Sequence, residues 1–479
     1  MRLTLFFICC LGFYTTQARD IIASSVAEAN KLCAEASAGD KVIMKAGIYK
    51  DAVINFQNNK GTQDQPITFI AEMPGKVSFE GNSTLTISGV NIIVEGFLWQ
   101  NGGKDLGTKS VIEIKASYSV LRDCAIIDYN NADLTIDNKW VSLYGEYNTV
   151  DRCLLKNKRN LGATLTVWLK NGVPAHHTIS NNYFLNRING PNADNGLESI
   201  RIGDSKTSFT NANCVVAFNR FENCDGEIEI ISNKSCHNSY FHNTFYNNDG
   251  GLTLRHGNDC WVDGNVFDGG EKTKSYGVRI IGEGHLVTNN YFYNLKGAER
   301  KGSSDQFRAP LTIVNGLENT PLNGYFQVRR AVVAQNVFVN NVTPNIRLGA
   351  RSKREGMTIP PDTVAIIGNI MLDENCTGSE VYEELSEALN VSVTGNIVLG
   401  KCLSAPKKGF DKYPSGKRDG FDHIKDNKGN VIESVEMRQE MDKNMKAGAD
   451  WIDPSVQSQI GKRRYSFVLA KEVGPSWLR

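Results

Sequence analysis

Four short segments repeat one pattern at nearly one interval, and this restricts the fold more than any other feature of the chain. They are Glu198-Ser-Ile-Arg201-Ile-Gly203, Glu227-Ile-Glu229-Ile-Ile-Ser232, Leu252-Thr-Leu-Arg255-His-Gly257 and Gly277-Val-Arg279-Ile-Ile-Gly282. Arg201 to Glu227 is 26 positions, Glu229 to Arg255 is 26, and Arg255 to Arg279 is 24. Apolar and polar residues alternate within each segment, as in a strand with one buried and one outward face. One strand per twenty-odd residues is the mark of a solenoid. Stacked coils would align Arg201, Glu227, Glu229, Arg255 and Arg279 as a mixed-charge column on an otherwise apolar wall.

A second marker, Asn followed two residues later by a large apolar residue, extends the repeat. It occurs at Asn182, Asn219, Asn243, Asn265, Asn290, Asn336, Asn369 and Asn396. Asn tolerates left-handed backbone and can hydrogen-bond the Asn of the next coil, which suits a corner repeated along a stack. The longer step from Asn290 to Asn336 implies an inserted loop or an unmarked coil. Val, Ile, Phe and Thr at period 2 argue against a helical repeat. The expected fold is all-β, a single-stranded right-handed parallel β-helix.

A solenoid absorbs 479 residues as one domain. A formal net charge of +1 argues against whole-surface attraction to nucleic acid or anionic membrane, so recognition of a polyanion must be local. Arg2, the apolar run Leu3 to Tyr14 and the small-residue pattern ending at Ala18 read as a cleaved signal peptide over residues 1–18, too short to span a membrane. The expected location is secreted or periplasmic. Ser24 to Ala36 reads as an amphipathic helix capping the first coil, with the first strand beginning at Asp40. Coils are expected over 19–400. Residues 401–479 form an extension packing back on the solenoid, with a helix at Ile432 to Met445 and Trp451, Tyr465 and Trp477 as its anchors.

Beyond residue 18 there are nine cysteines, an odd number, so at least one is unpaired within the chain. Cys214 and Cys260 each lie five residues before a marker Asn, two coils apart, and read as small core residues. Cys124 and Cys153 fall on adjacent coils, where a bridge is geometrically allowed.

Glu227 and Glu229, at i and i+2 on a strand, point the same way about 7 Å apart and repel. A hard cation such as calcium would relieve this, with Asn195 adding an amide oxygen. The alternative is a solvated face on which both pair with Arg201 and Arg255. Lys234, after the Ser232-Asn233 turn, is either a solvated charge or, beside a cation and Arg255, a base. His256 has either a buried structural role or a groove role.

The set Asn195 to Gly203, Glu227-Ile-Glu229, Lys234, Arg255-His256-Gly257 and Arg279 to His285 resembles polysaccharide lyase family 6, which includes alginate lyases and chondroitinase B. The resemblance implies β-elimination on a uronate polymer. Residues matching Asn195, Glu227 and Glu229 hold calcium, Lys234 matches the base and Arg255 the acid. Arg201, His256, Arg279 and His285 would bind the substrate. Because guanidinium yields a proton only far above neutral pH, stabilising the leaving oxygen is the easier role for Arg255. Alginate is the favoured substrate, dermatan sulfate or chondroitin the alternative, and a non-catalytic polysaccharide-binding solenoid the rival. A monomer is expected.

Overall fold

Every described coil contributes strands to three faces. In the computed structural model these build parallel sheets of 14, 12 and 14 strands, ordered so that sheet neighbours lie one coil apart. The structure describes residues 18–190, 195–297, 306–352, 356–377, 380–404, 409–413, 415–419, 423–426, 428–429 and 467–478. The fold is a parallel β-helix, with one described α-helix, Val26–Glu35. Ser25 caps that helix by accepting from the Glu28 N–H, and Ala29 and Cys33 are its buried face. It follows a strand that the sequence reading missed: Asp20–Ala23 pairs in register with Lys41–Met44, so the first strand precedes the helix. Asn58 ties the helix end to the stack by donating to the carbonyls of Cys33 and Ala36.

The Asn marker forms one continuous ladder. From Asn182 to Asn396 each Nδ2 donates to the Oδ1 of the next marker at 2.9–3.0 Å, and all eight residues are fully buried. Asn290 bonds Asn336 directly, so the long interval is an inserted loop and not an extra coil. The left-handed residue at this corner is the one before the Asn, including Phe218, His242 and Gln335. Such geometry costs a side-chain-bearing residue roughly 1–2 kcal/mol. The ladder offsets it by satisfying every buried amide of the corner. Inside, Phe184, Phe221, Phe245, Phe267, Phe292 and Phe338 stack with centroids 4.5–5.1 Å apart.

Cys214 and Cys260 are core residues two coils apart, as their spacing indicated. Cys124 and Cys153 do occupy adjacent coils, but both remain free thiols. Their Sγ atoms turn to the carbonyls of Arg122 and Asp151. The disulfide lies elsewhere, between Cys376 and Cys402. Of the C-terminal extension, Phe410–Tyr413 adds a last strand and the Trp477 indole N–H donates to the Asp123 carbonyl. Residues 1–17, the segment Ile432 to Met445, Trp451 and Tyr465 lie outside the described residues.

Asp263 is a buried acid away from the groove. Burial pushes its carboxyl up to about 6, although Thr288 and Asn289 donate to it. A raised folded pKa favours folding below the unfolded value and is lost as pH rises through about 6. Asp263→Asn is therefore expected to stabilise the protein by about 2–3 kcal/mol at pH 7 and not at all near pH 4, read from thermal unfolding at both.

Candidate active site

Register within the 12-stranded sheet divides the expected column into two outward rows. Thr166, Arg201, Ser232, Thr253, Arg279 and Thr312 face one another across successive coils, whereas Gly203, Lys234 and His256 form the row beside them. Irregularities in pairing at Glu229/Ile231 and Asn233/Lys234 shift the strands there. Equal sequence spacing thus does not place Arg255 over Arg279. Glu227 lies just before the strand Glu229–Lys234, and Ser232-Asn233 is part of that strand, not a turn. Asn233 is fully buried, donating to the carbonyls of Ser235 and His256, which fixes the strand end carrying Lys234.

Three glutamates converge below this strand end. Glu198 was not singled out from the sequence, although it lies three residues before Arg201 as Glu229 lies three before Ser232, the register partner of Arg201. It is 1% exposed, with Oε1 4.0 Å from the Lys234 ammonium nitrogen and Oε2 without a hydrogen-bond partner among the described residues. Its carboxyl comes within hydrogen-bonding reach of Glu227. Glu227 accepts from the Leu197 N–H at 2.9 Å. Burial pushes the Glu227 carboxyl well up, and the charges of Glu198 and Glu229 push it further. Glu229 goes the other way. Burial would raise it, but Arg279, Arg255 and Lys234 together outweigh burial and hold it below the usual range. Asn195 stands in the exposed turn two residues before Leu197.

Arg279 is only 3% exposed, donates to Glu229 and packs over the Phe307 ring at 4.9 Å. It is thus nearly closed to solvent and paired as the counter-charge of Glu229. His285 is likewise withdrawn from the groove: it is fully buried at a corner, with Nδ1 accepting from the Cys260 N–H and Nε2 against the Ile281 carbonyl. Equivalent corners carry Ser119, Asn148 and His177, which bond in the same way. His256 is buried too, between Arg255 and Ser205, and burial pushes its pKa down to about 3, helped by Arg255 and Lys234. Its Nδ1 lies 3.5 Å from an Arg255 guanidinium nitrogen.

Arg255 is held by the loop inserted between Asn290 and Asn336. Its guanidinium donates to the carbonyls of Gly324 and Asn323 and lies over the Tyr325 ring at 4.3 Å. The sequence registered that loop only as a long interval. Arg201 packs over the Trp168 ring at 5.4 Å, and its Nε has no hydrogen-bond partner among the described residues. The site thus offers a lysine beside buried carboxylates, an oriented guanidinium and a second cation on one strip. The three glutamates lie close but are not arranged as a preassembled metal cage, no other such group occurs among the described residues, and none of the described helices is long and apolar enough to cross a membrane.

The chondroitinase B family model matches residues 23–447. No curated protein matches the sequence significantly. Among solved structures, the PL6 family alginate lyase AlyGC is 28% identical with a TM-score of 0.78. The match covers 96% of this chain and 59% of AlyGC, so the chain spans little more than half of that relative. A mannuronic acid specific family 6 lyase from human gut microbiota is 25% identical, with a TM-score of 0.70 over 92% of this chain and 98% of its own. The family 6 lyase Pedsa3628 from Pseudopedobacter saltans is 26% identical, with a TM-score of 0.67 over 79% and 92%. Matched over most of its length by the family model and by these folds, the chain belongs to the chondroitinase B family, in polysaccharide lyase family 6.

Proposed function

We propose that this protein cleaves a uronate-containing polysaccharide, alginate foremost, by β-elimination. The observation that carries the reading is Lys234 at the outer end of its strand, beside buried carboxylates and on the same strip as Arg255. Elimination breaks the C5–H and C4–O4 bonds of a uronate and forms a C4=C5 double bond. In its neutral form Lys234 accepts the C5 proton, and Glu198 is placed to stabilise the resulting ammonium. The Arg255 guanidinium stays charged and stabilises the departing O4, while water supplies that oxygen's proton. Arg201, half-exposed over the Trp168 ring, is placed to bind a neighbouring carboxylate. Alginate is favoured because one solved relative named above is an alginate lyase and another is specific for mannuronic acid.

The residues present suit a calcium ion in charge: three buried carboxylates repel one another, and one Glu198 oxygen is unmatched. Glu227 and Glu229, with Asn195 at the rim, would hold the ion, with water or substrate completing the shell. When bound, calcium supplies neutralisation of the uronate carboxylate. Chelation with EGTA is expected to abolish activity and lower the melting temperature, with calcium restoring both. Full activity and an unmoved melting temperature after chelation, in protein free of metal by analysis, would overturn the calcium reading.

Export through residues 1–18 belongs to the same proposal, and the Cys376–Cys402 disulfide suits an oxidising compartment. The direct test follows the ultraviolet absorbance of unsaturated uronate ends on alginate and dermatan sulfate. A rise on alginate supports the reading. A rise on dermatan sulfate alone changes the substrate, and binding without any rise supports a non-catalytic module.

A further inference from the structure

The row that contains Lys234 continues away from the site, across the coils that precede it in the chain. Gly203 is paired with Lys234, and the register then places Trp168 beside Gly203, Tyr144 beside Trp168, and Lys115 beside Tyr144. At one strand spacing per coil, Trp168 and Tyr144 stand roughly 10 Å and 14 Å from the base position. Gly203 carries no side chain into this row and is itself buried: a Cβ there would lie 2.7 Å from the Lys234 carbonyl and 3.0 Å from Leu169 and Thr207, so only glycine lets the strands and the following turn pack this closely between the base and the first ring.

The two rings are nearly parallel, 11° apart with centroids at 6.2 Å, and the Trp168 Nε1–H donates to Ser142. Cations line them. Arg201 and Lys139 lie 5.4 Å and 5.6 Å from the Trp168 ring, and Lys115 lies 5.7 Å from that of Tyr144. Lys139 and Lys115 also pair with Asp137 and Glu113. Beside the rings a hollow of about 450 Å³ is walled by Lys170, Val173, Pro174 and Ala175. Both rings are half-exposed, so they are not simply part of the core. Rigid aromatic edges flanked by ammonium and guanidinium groups suit a ligand whose units carry both an apolar sugar face and a carboxylate.

We infer that Trp168 and Tyr144, with Lys115 and Lys139, form an extended binding strip for uronate residues two and three units from the bond cut at Lys234. One pyranose residue of an extended chain is about as long as one coil spacing, so the coil period and the sugar period run together along this row. The inference rests on the lyase reading and assigns the direction in which the polymer lies: toward the N-terminal coils.

The experiment compares defined uronate trimers and hexamers with the wild type, Trp168→Ala, Trp168→Phe and Tyr144→Ala. Trp168→Ala is expected to lower kcat/KM on the hexamer about ten-fold, chiefly through KM, and much less on the trimer. Trp168→Phe should recover most of the loss, and Tyr144→Ala should show a weaker effect of the same kind. Equal losses on both lengths, or none, would overturn the strip. A wild type that makes no unsaturated product would overturn the lyase reading instead. Calorimetric binding of the hexamer then decides the strip separately: weaker binding by Trp168→Ala supports it, and equal binding overturns it.

Discussion

Lys234→Ala is expected to lower the rate of elimination by about 10²–10⁴-fold, the usual range for losing a positioned base, with little change in the affinity for polymer. The reason is geometric. Lys234 ends the strand Glu229–Lys234, and the buried amide of Asn233 fixes the backbone on either side of it. Its side chain is 18% exposed, enough to reach a substrate carbon while the ammonium nitrogen stays 4.0 Å from Glu198. Glu198→Gln separates support from chemistry: Lys234 remains, but the nearby negative charge that stabilises its protonated form is removed. A smaller loss of kcat than in Lys234→Ala, with KM nearly unchanged, is expected. The measurement is product absorbance under saturating alginate, with circular dichroism confirming the fold. Undiminished turnover in Lys234→Ala would remove this residue from the mechanism.

Much of the fold was legible in the sequence because the β-helix repeats its physics. Asn182 to Asn396 must each satisfy the same buried corner amides, so the same residue recurs and shows itself by spacing alone. The alternating segments likewise identified the groove strands. Three-dimensional register was not legible to the same degree. Pairing irregularities around Glu229 and Lys234 shift the strands by local backbone geometry that no residue type announces. For that reason Arg201 and Arg279 share a row while Arg255 does not. Burial was also hidden. His285 and Arg279 sit in segments that read as groove wall, yet one belongs to a corner ladder and the other to the carboxylate cluster. The strand Asp20–Ala23 escaped notice because four residues are too few to show a period. Glu198 could have been found by extending the register of Arg201 and Ser232 three residues back.

Arg279→Met is expected to destabilise the protein by about 3–5 kcal/mol, the usual consequence of leaving a buried carboxylate without its partner. Glu229 is itself buried, and Arg279 heads the charges that hold it ionised against the effect of burial. Methionine fills most of the space over Phe307 but brings no charge, so the loss falls on the electrostatics and not on packing. Adding Glu229→Gln in the same chain should recover part of the stability, because the uncompensated charge is then gone, while activity stays low. This pattern separates two roles for the arginine. A guanidinium that only bound sugar would, when removed, raise KM and leave thermal unfolding unchanged. A guanidinium that balances the cluster lowers the melting temperature, and the double variant restores some of it. With Glu198 and Glu227 already in mutual repulsion, Arg279 is the charge that lets Glu229 stay ionised beside Glu227. The unfolding transitions of the single and double variants, measured with and without calcium, test that statement directly.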